Sequence, residues 1–89
     1  MQHFNINIYG VVQGVGFRYN AIRQANSLSV TGFVRNEADG SVYIEAEGPQ
    51  SALADFVEWC NKGPSHAQVE NVIVKEGGLK NFTSFESKH

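Results

Sequence analysis

Cysteine occurs once in these 89 residues, proline twice and histidine three times. One cysteine, Cys60, excludes an intramolecular disulfide, and neither it nor the histidines have the spacing of a metal site. No apolar run approaches the roughly 20 residues needed to cross a bilayer. No charged and apolar leader precedes the first strand pattern, so the expectation is a cytoplasmic protein without membrane contact. Without secretion, the sequon Asn81-Phe82-Thr83 is idle. Positive charge is scarce too: seven Lys and Arg stand against nine Asp and Glu, a net charge of −2. That balance lacks the basic stripe of a nucleic-acid binder. Internal repeats, linkers and low-complexity segments are missing as well.

What is present is ordinary globular composition, 42% hydrophobic and 18% charged. A chain of this size makes one small domain, burying about 60% of its unfolded surface. It has little to spare for a lid or a second site. Any functional site must be built from the core elements and their turns.

Periodicity gives the element order. His3 to Tyr9 alternates, with Phe4, Ile6 and Ile8 on one face and His3, Asn5, Asn7 and Tyr9 on the other, as in a half-buried strand. Phe17 to Leu28 switches to helical spacing through Phe17, Ala21, Ala25 and Leu28. Thr31 to Asn36 is a second strand, and Asp39-Gly40 marks a hairpin turn into a third, Ser41 to Glu47. There Val42, Ile44 and Ala46 face inward and Tyr43, Glu45 and Glu47 outward. Pro49 opens a second helix whose apolar face carries Leu53, Phe56, Val57 and Cys60, and Gly63-Pro64 closes it. Cys60 therefore reads as a buried, inert thiol. Val69 to Lys75 is a fourth strand; Gly77-Gly78 invites a turn before a possible short fifth strand, Phe82 to Phe85. This order predicts an α+β protein, the ferredoxin-like split βαβ sandwich (βαββαβ). Its antiparallel sheet would carry both helices on one face and leave the other open to water.

The most informative segment is Gly10-Val-Val-Gln-Gly-Val-Gly-Phe-Arg18, between the first strand and the first helix. Glycines in such a turn let backbone N–H groups converge, and the helix N-terminus adds partial positive charge. Arg18, one turn into the helix, offers a planar fork of donors. Spacing alone reads equally as a small-oxyanion pocket and as a plain tight turn. The P-loop and dinucleotide fingerprints both fail here: no Lys-Ser or Lys-Thr pair follows the glycines, and Tyr19 stands where a third glycine would fall.

A second segment, Gly32-Phe33-Val34-Arg35-Asn36 followed by Asp39-Gly40-Ser41-Val42, completes a pattern. Taken with Gly10 to Arg18, it resembles the two-part signature of the acylphosphatases. Gly48-Pro49, the stretch Leu53 to Cys60 and Lys62-Gly63-Pro64 also fall where that family has such residues, so the likeness runs from about Phe4 to Val74. It implies that residues 1–89 form a single acylphosphatase-like domain hydrolysing small acyl phosphates to carboxylate and inorganic phosphate. It also implies that Arg18 binds the phosphate and that Asn36 positions the attacking water. The backbone amides of Gly10, Val11, Val12, Gln13, Gly14 and Val15 would line the phosphate cradle. The implied reaction needs neither metal nor organic cofactor, the substrate's own phosphate accepting the water's proton. A monomer is the default state.

Read without that likeness, Asn36 is a hairpin-turn residue, although its amide can also hold and orient a water. Arg35 alternates away from Asn36 and reads as a solvated cation, Arg23 as a surface residue, and Glu37 and Asp39 as solvated turn carboxylates. Ser41 stands near enough to lend a hydroxyl. His3, His66 and His89 do not cluster. Two departures from the family pattern stand out: Val11 occupies an often basic position, and the last strand, Phe82-Thr83-Ser84-Phe85, lacks the usual ending. Val11 would lower the local positive potential, whereas the altered last strand is not expected to touch the site residues. The competing function is a non-catalytic phosphate- or anion-binding module. An RNA-binding domain of the same strand order is disfavoured by Tyr43 standing alone among glutamates.

Overall fold

The computed structural model describes residues 1–88; His89 lies outside the described residues. The elements run β1 (Gln2–Val11), α1 (Phe17–Ser27), β2 (Thr31–Asn36), β3 (Val42–Gly48), α2 (Gln50–Lys62), β4 (Gln68–Gly77) and β5 (Phe85–Lys88). The strands form one sheet in the order β4-β1-β3-β2-β5. The β1–β3, β1–β4 and β2–β3 pairs are antiparallel, and Ile6 stands opposite both Ile44 and Val74.

Period-two alternation puts Ile6, Ile8, Val34, Val42, Ile44 and Ala46 on the face that meets the helices, all fully buried. Against them α1 packs Phe17, Ala21 and Ala25, and α2 packs Leu53, Phe56 and Cys60. Phe17 lies 5.1 Å from the Trp59 ring, and Phe56 meets Phe85 edge-on at 5.7 Å, which ties both helices and β5 into one aromatic cluster. Truncating a buried Phe costs about 3–5 kcal/mol, so Phe17 and Phe56 are principal anchors. Cys60 is buried as expected, and burial pushes its thiol well above the usual range.

Two expectations need correcting. The fifth strand is Phe85–Lys88 rather than Phe82 to Phe85, and it pairs in parallel with β2, Gly32 opposite Phe85, so the sheet is mixed. Gly77-Gly78 does not make a hairpin. Residues 78–84 leave β4 at one edge, pass over β1 and β3, and deliver the chain to the opposite edge. The far face is therefore not simply open to water.

Beneath that strap lies a buried polar network. His3 and Glu47 are 1% and 2% exposed, and Glu45 is also buried. His3 Nδ1 is 2.7 Å from Glu47 Oε2, while its Nε2 is 2.9 Å from Asn5 Oδ1 and 3.0 Å from Glu45 Oε1. The strap supplies the remaining donors. The backbone N–H groups of Lys80 and Phe82 donate to Glu47, the latter at 3.0 Å, and Lys80 Nζ is 2.9 Å from Glu45 Oε1. Tyr43 donates to Glu45 at 2.8 Å, and the Phe82 ring stacks on His3 at 5.8 Å. Burial alone would raise both carboxyls. The Lys80 and Tyr43 contacts at Glu45, and the two strap N–H groups with His3 at Glu47, outweigh it and hold both below the usual carboxylate range. Alternation placed these residues correctly on the outward face, but it cannot distinguish a solvated polar face from a covered one.

Arg35 on that face is also more than a solvated cation. Its guanidinium lies 4.9 Å from the Tyr43 ring centroid and 5.7 Å from that of Phe33, and Lys88 Nζ is 4.4 Å from the Phe33 centroid. Among the described residues no helix is long and apolar enough to cross a membrane.

Candidate active site

At its far end from His3, β1 gives way to the glycine turn. Gly10 and Val11 are still strand, opposite Val69 and Gln68 of β4. A Cβ on Gly10 would fall 2.1 Å from the Gln68 carbonyl oxygen, so this glycine is required by close strand approach, next to a bulge at Tyr9. The turn proper follows. Gly14 (φ 74°) and Gly16 (φ 79°) are left-handed, whereas Gln13 and Val15 between and before them are not. Alternation of this kind turns successive N–H groups toward a common side, the geometry of an anion nest. Gly16 then caps α1, whose first turn contains no acidic residue, so its positive end is not neutralised there.

An open cleft of about 360 Å³ lies at this helix end. Gly14, Gly16, Arg18, Asn36 and Ser87 contribute its polar lining, and Val12, Phe17, Tyr19 and Ile22 the apolar part. Arg18 comes from the first turn of α1 and Asn36 from the last position of β2, opposite Val42. Eighteen positions apart in sequence, they face one cavity. Of the expected cradle residues, Val12 and Gly14 line the cleft, while Gly10 and Val11 belong to the β1–β4 pairing. Val15 is half-buried and packs against the core.

Gln13 points elsewhere, and its side chain was not singled out by its sequence position. Its Nε2 donates to the carbonyl oxygens of Glu37 (2.8 Å) and Ser41 (2.9 Å), at the mouth of the β2–β3 hairpin. Ser41 is used within that hairpin. Its N–H and its hydroxyl donate to Asp39 Oδ1 at 2.9 and 2.6 Å, which holds Asp39 below the usual carboxylate range. The Ser41 hydroxyl is thus committed to the turn. Glu37 Oε1 lies 3.4 Å from Arg35 in a half-exposed pair, the sort worth little energetically.

Other site residues were missed by the sequence reading. Tyr19 directly follows Arg18 and Ile22 lies one helical turn beyond it, and their place in the cleft follows from knowing that the cleft sits there. Ser87 reaches it only because β5 runs parallel beside β2, so the altered C-terminal segment does contribute to the lining. Among the described residues no group of His, Cys, Asp and Glu is arranged to hold a metal; His3, Glu45 and Glu47 contact one another directly.

A ferredoxin-like α+β fold with an arginine, a helix N-terminus and a glycine nest on one cleft has the chemistry of an oxyanion site. Known proteins share the fold and much of the sequence. The acylphosphatase family model matches residues 4–87. An acylphosphatase from Nocardioides sp. is 49% identical over 81 residues, covering 88% of this chain and 82% of its own. One from Thermotoga petrophila is 46% identical over 89 residues, covering 100% and 99%. The crystal structure of acylphosphatase from Bacillus subtilis matches with a TM-score of 0.97 at 38% identity, over 100% of both chains. The chain belongs to the acylphosphatase family and is an enzyme of that hydrolase class.

Proposed function

We propose that this enzyme cleaves the carboxyl–phosphate bond of small acyl phosphates in the cleft between α1 and the end of β2. Arg18 and the amides of the glycine turn hold the phosphate, and Asn36 positions the attacking water. Phosphoryl transfer asks mainly for charge stabilisation and an in-line nucleophile. A guanidinium fork takes two phosphate oxygens and neutralises charge that builds on them. The Asn36 amide oxygen accepts a hydrogen bond from the water and so aims a lone pair of the water oxygen at phosphorus. As the water oxygen bonds to phosphorus, the bond to the acyl oxygen breaks and a carboxylate leaves. The water's proton passes to a phosphate oxygen, giving inorganic phosphate with no separate base, metal or organic cofactor. Convergence of Arg18 and Asn36 on one cleft, beside Gly14 and Gly16, carries this assignment.

Benzoyl phosphate hydrolysis separates the roles. Arg18→Ala should cost a hundredfold or more, on the order of one lost charge-assisted transition-state contact, and Arg18→Lys should not restore it. Asn36→Ala should lower kcat strongly while leaving the inhibition constant of inorganic phosphate near that of wild type, because its contact is made mainly in the transition state. An Asn36→Ala protein that melts early but turns over normally would make Asn36 a turn residue and remove it from the mechanism.

A further inference from the structure

The two halves of the proposed site belong to strands that are not neighbours. The phosphate cradle and Arg18 follow β1, and Asn36 ends β2, while β3 lies between the two strands. Sheet pairing therefore fixes each half against β3 but not the turn after β1 against the end of β2. Gln13 bridges that gap. It lies beside Gly14 in the turn, and its Nε2 donates both hydrogens across it, to Glu37 O at 2.8 Å and Ser41 O at 2.9 Å. Glu37 directly follows Asn36, and Ser41 directly precedes Val42, the residue paired with Asn36. The two carbonyls are also joined through the hairpin itself, since Glu37 N–H donates to Ser41 O at 2.8 Å. The Gln13 amide thus grips both sides of the hairpin mouth one position beyond Asn36.

We propose that Gln13 is a positioning residue, a cross-brace that holds Asn36 at its working distance from the phosphate cradle. The inference rests on the water-positioning role given to Asn36 above. The Gln13 side chain need not touch substrate: its carboxamide NH2 is spent on the two carbonyls. Its side chain suits this task because a primary amide carries two N–H donors. Reacting groups held slightly out of place lose rate steeply, about a hundredfold for an ångström.

The test uses Gln13→Ala and the near-isosteric Gln13→Met, which has no donors, alone and combined with Asn36→Ala, assayed on benzoyl phosphate. Gln13→Met covers the case in which Gln13→Ala folds poorly. Either single variant should lower kcat by about ten- to a hundredfold, with the inhibition constant of inorganic phosphate within about twofold of wild type, since the cradle is intact. In the Asn36→Ala background the same Gln13 change should cost nothing further in kcat, as expected of two residues acting as a unit. Gln13→Glu should do no better than Gln13→Met, because it aims a carboxylate at two carbonyl oxygens. Losses in kcat that multiply in the double variant would overturn the brace, and so would weakened phosphate binding with kcat preserved. A lowered melting point with wild-type kcat would make Gln13 a hairpin stabiliser only. If Asn36→Ala lowers kcat but Gln13→Met does not, the brace alone is wrong; if Asn36→Ala is itself active, both roles fall.

Discussion

The two ends of β1 carry polar chemistry of opposite character. At the His3 end, His3, Glu45 and Glu47 are buried and satisfy one another, helped by Lys80, Tyr43 and the strap N–H groups. At the Val11 end, the glycine turn, Arg18 and Asn36 line an open cleft. A polar network closed on itself holds a fold together, whereas polar groups arranged around a cavity are within reach of an outside ligand. The buried ionisable residues of the sheet, His3, Glu45 and Glu47, are at the first end and the proposed site is at the second, so buried charge alone is a poor guide to the cleft in this molecule.

The largest effect expected is at the closed end. Glu47→Ala removes the acceptor of three donors, His3 Nδ1 and the N–H groups of Lys80 and Phe82. Breaking a buried network by deleting one partner costs about 3–5 kcal/mol, a large part of the stability of so small a domain. Thermal melting should show it as a fall of at least ten degrees or so. The kcat of the folded fraction on benzoyl phosphate should hold, whereas Arg18→Ala should show the reverse pattern. A Glu47→Ala enzyme with normal melting and depressed kcat would erase the distinction between the two ends.

A smaller, graded effect is expected with pH. Glu45 and Glu47 are held below their ordinary value of 4.5 in the folded protein. The unfolded state thus takes up their protons first, and their contribution, complete above that value, is lost as pH falls through the folded values. Tyr43 works in the opposite sense: burial and the bond to Glu45 push it up to about 12. Its contribution is full below the ordinary value of 10 and fades as pH rises from there toward 12. Melting curves of Glu45→Gln/Glu47→Gln should lack most of the acid limb, and those of Tyr43→Phe part of the alkaline one. An unchanged acid limb would mean that other carboxylates govern acid unfolding.

The smallest effect separates the strap's backbone from its side chains. Lys80 is paired through Nζ with Glu45, but its side chain is 58% exposed, while its backbone N–H is what Glu47 uses. Lys80→Ala should therefore cost no more than about 1 kcal/mol, read as a melting shift of a few degrees. A loss as large as that of Glu47→Ala would show that the ammonium, not the main chain, secures the strap.

The helix-facing half of the fold was legible because its signals are local. Alternation in His3 to Tyr9, helical spacing in Leu53 to Cys60, the Asp39-Gly40 turn and Pro49 each report short-range geometry, and the elements lie within a few residues of where they read. The order of elements then left few right-handed arrangements. The roles proposed for Arg18 and Asn36 come from motif resemblance rather than physics, since spacing by itself left the turn before Arg18 evenly between an oxyanion pocket and a plain turn, and Asn36 as a hairpin residue. The route of residues 78–84 was not legible, because a Gly-Gly pair permits a turn without requiring one.

By itself, then, the amino-acid sequence determined the first four strands, the two helices, the apolar face each presents, and the glycine turn that ends β1. Those follow from backbone preference and from the period at which apolar side chains recur. Only the tertiary structure decided which polar residues would be sealed and which would line the cleft. His3 and Glu47 are buried because a strap from 33 or more residues downstream crosses them, and Gln13 finds its acceptors more than 20 residues away. Ser87 enters the cleft through a parallel pairing with β2. Whether a donor or acceptor is met by the protein or left to face a cavity depends on long-range packing, and no local pattern encodes it.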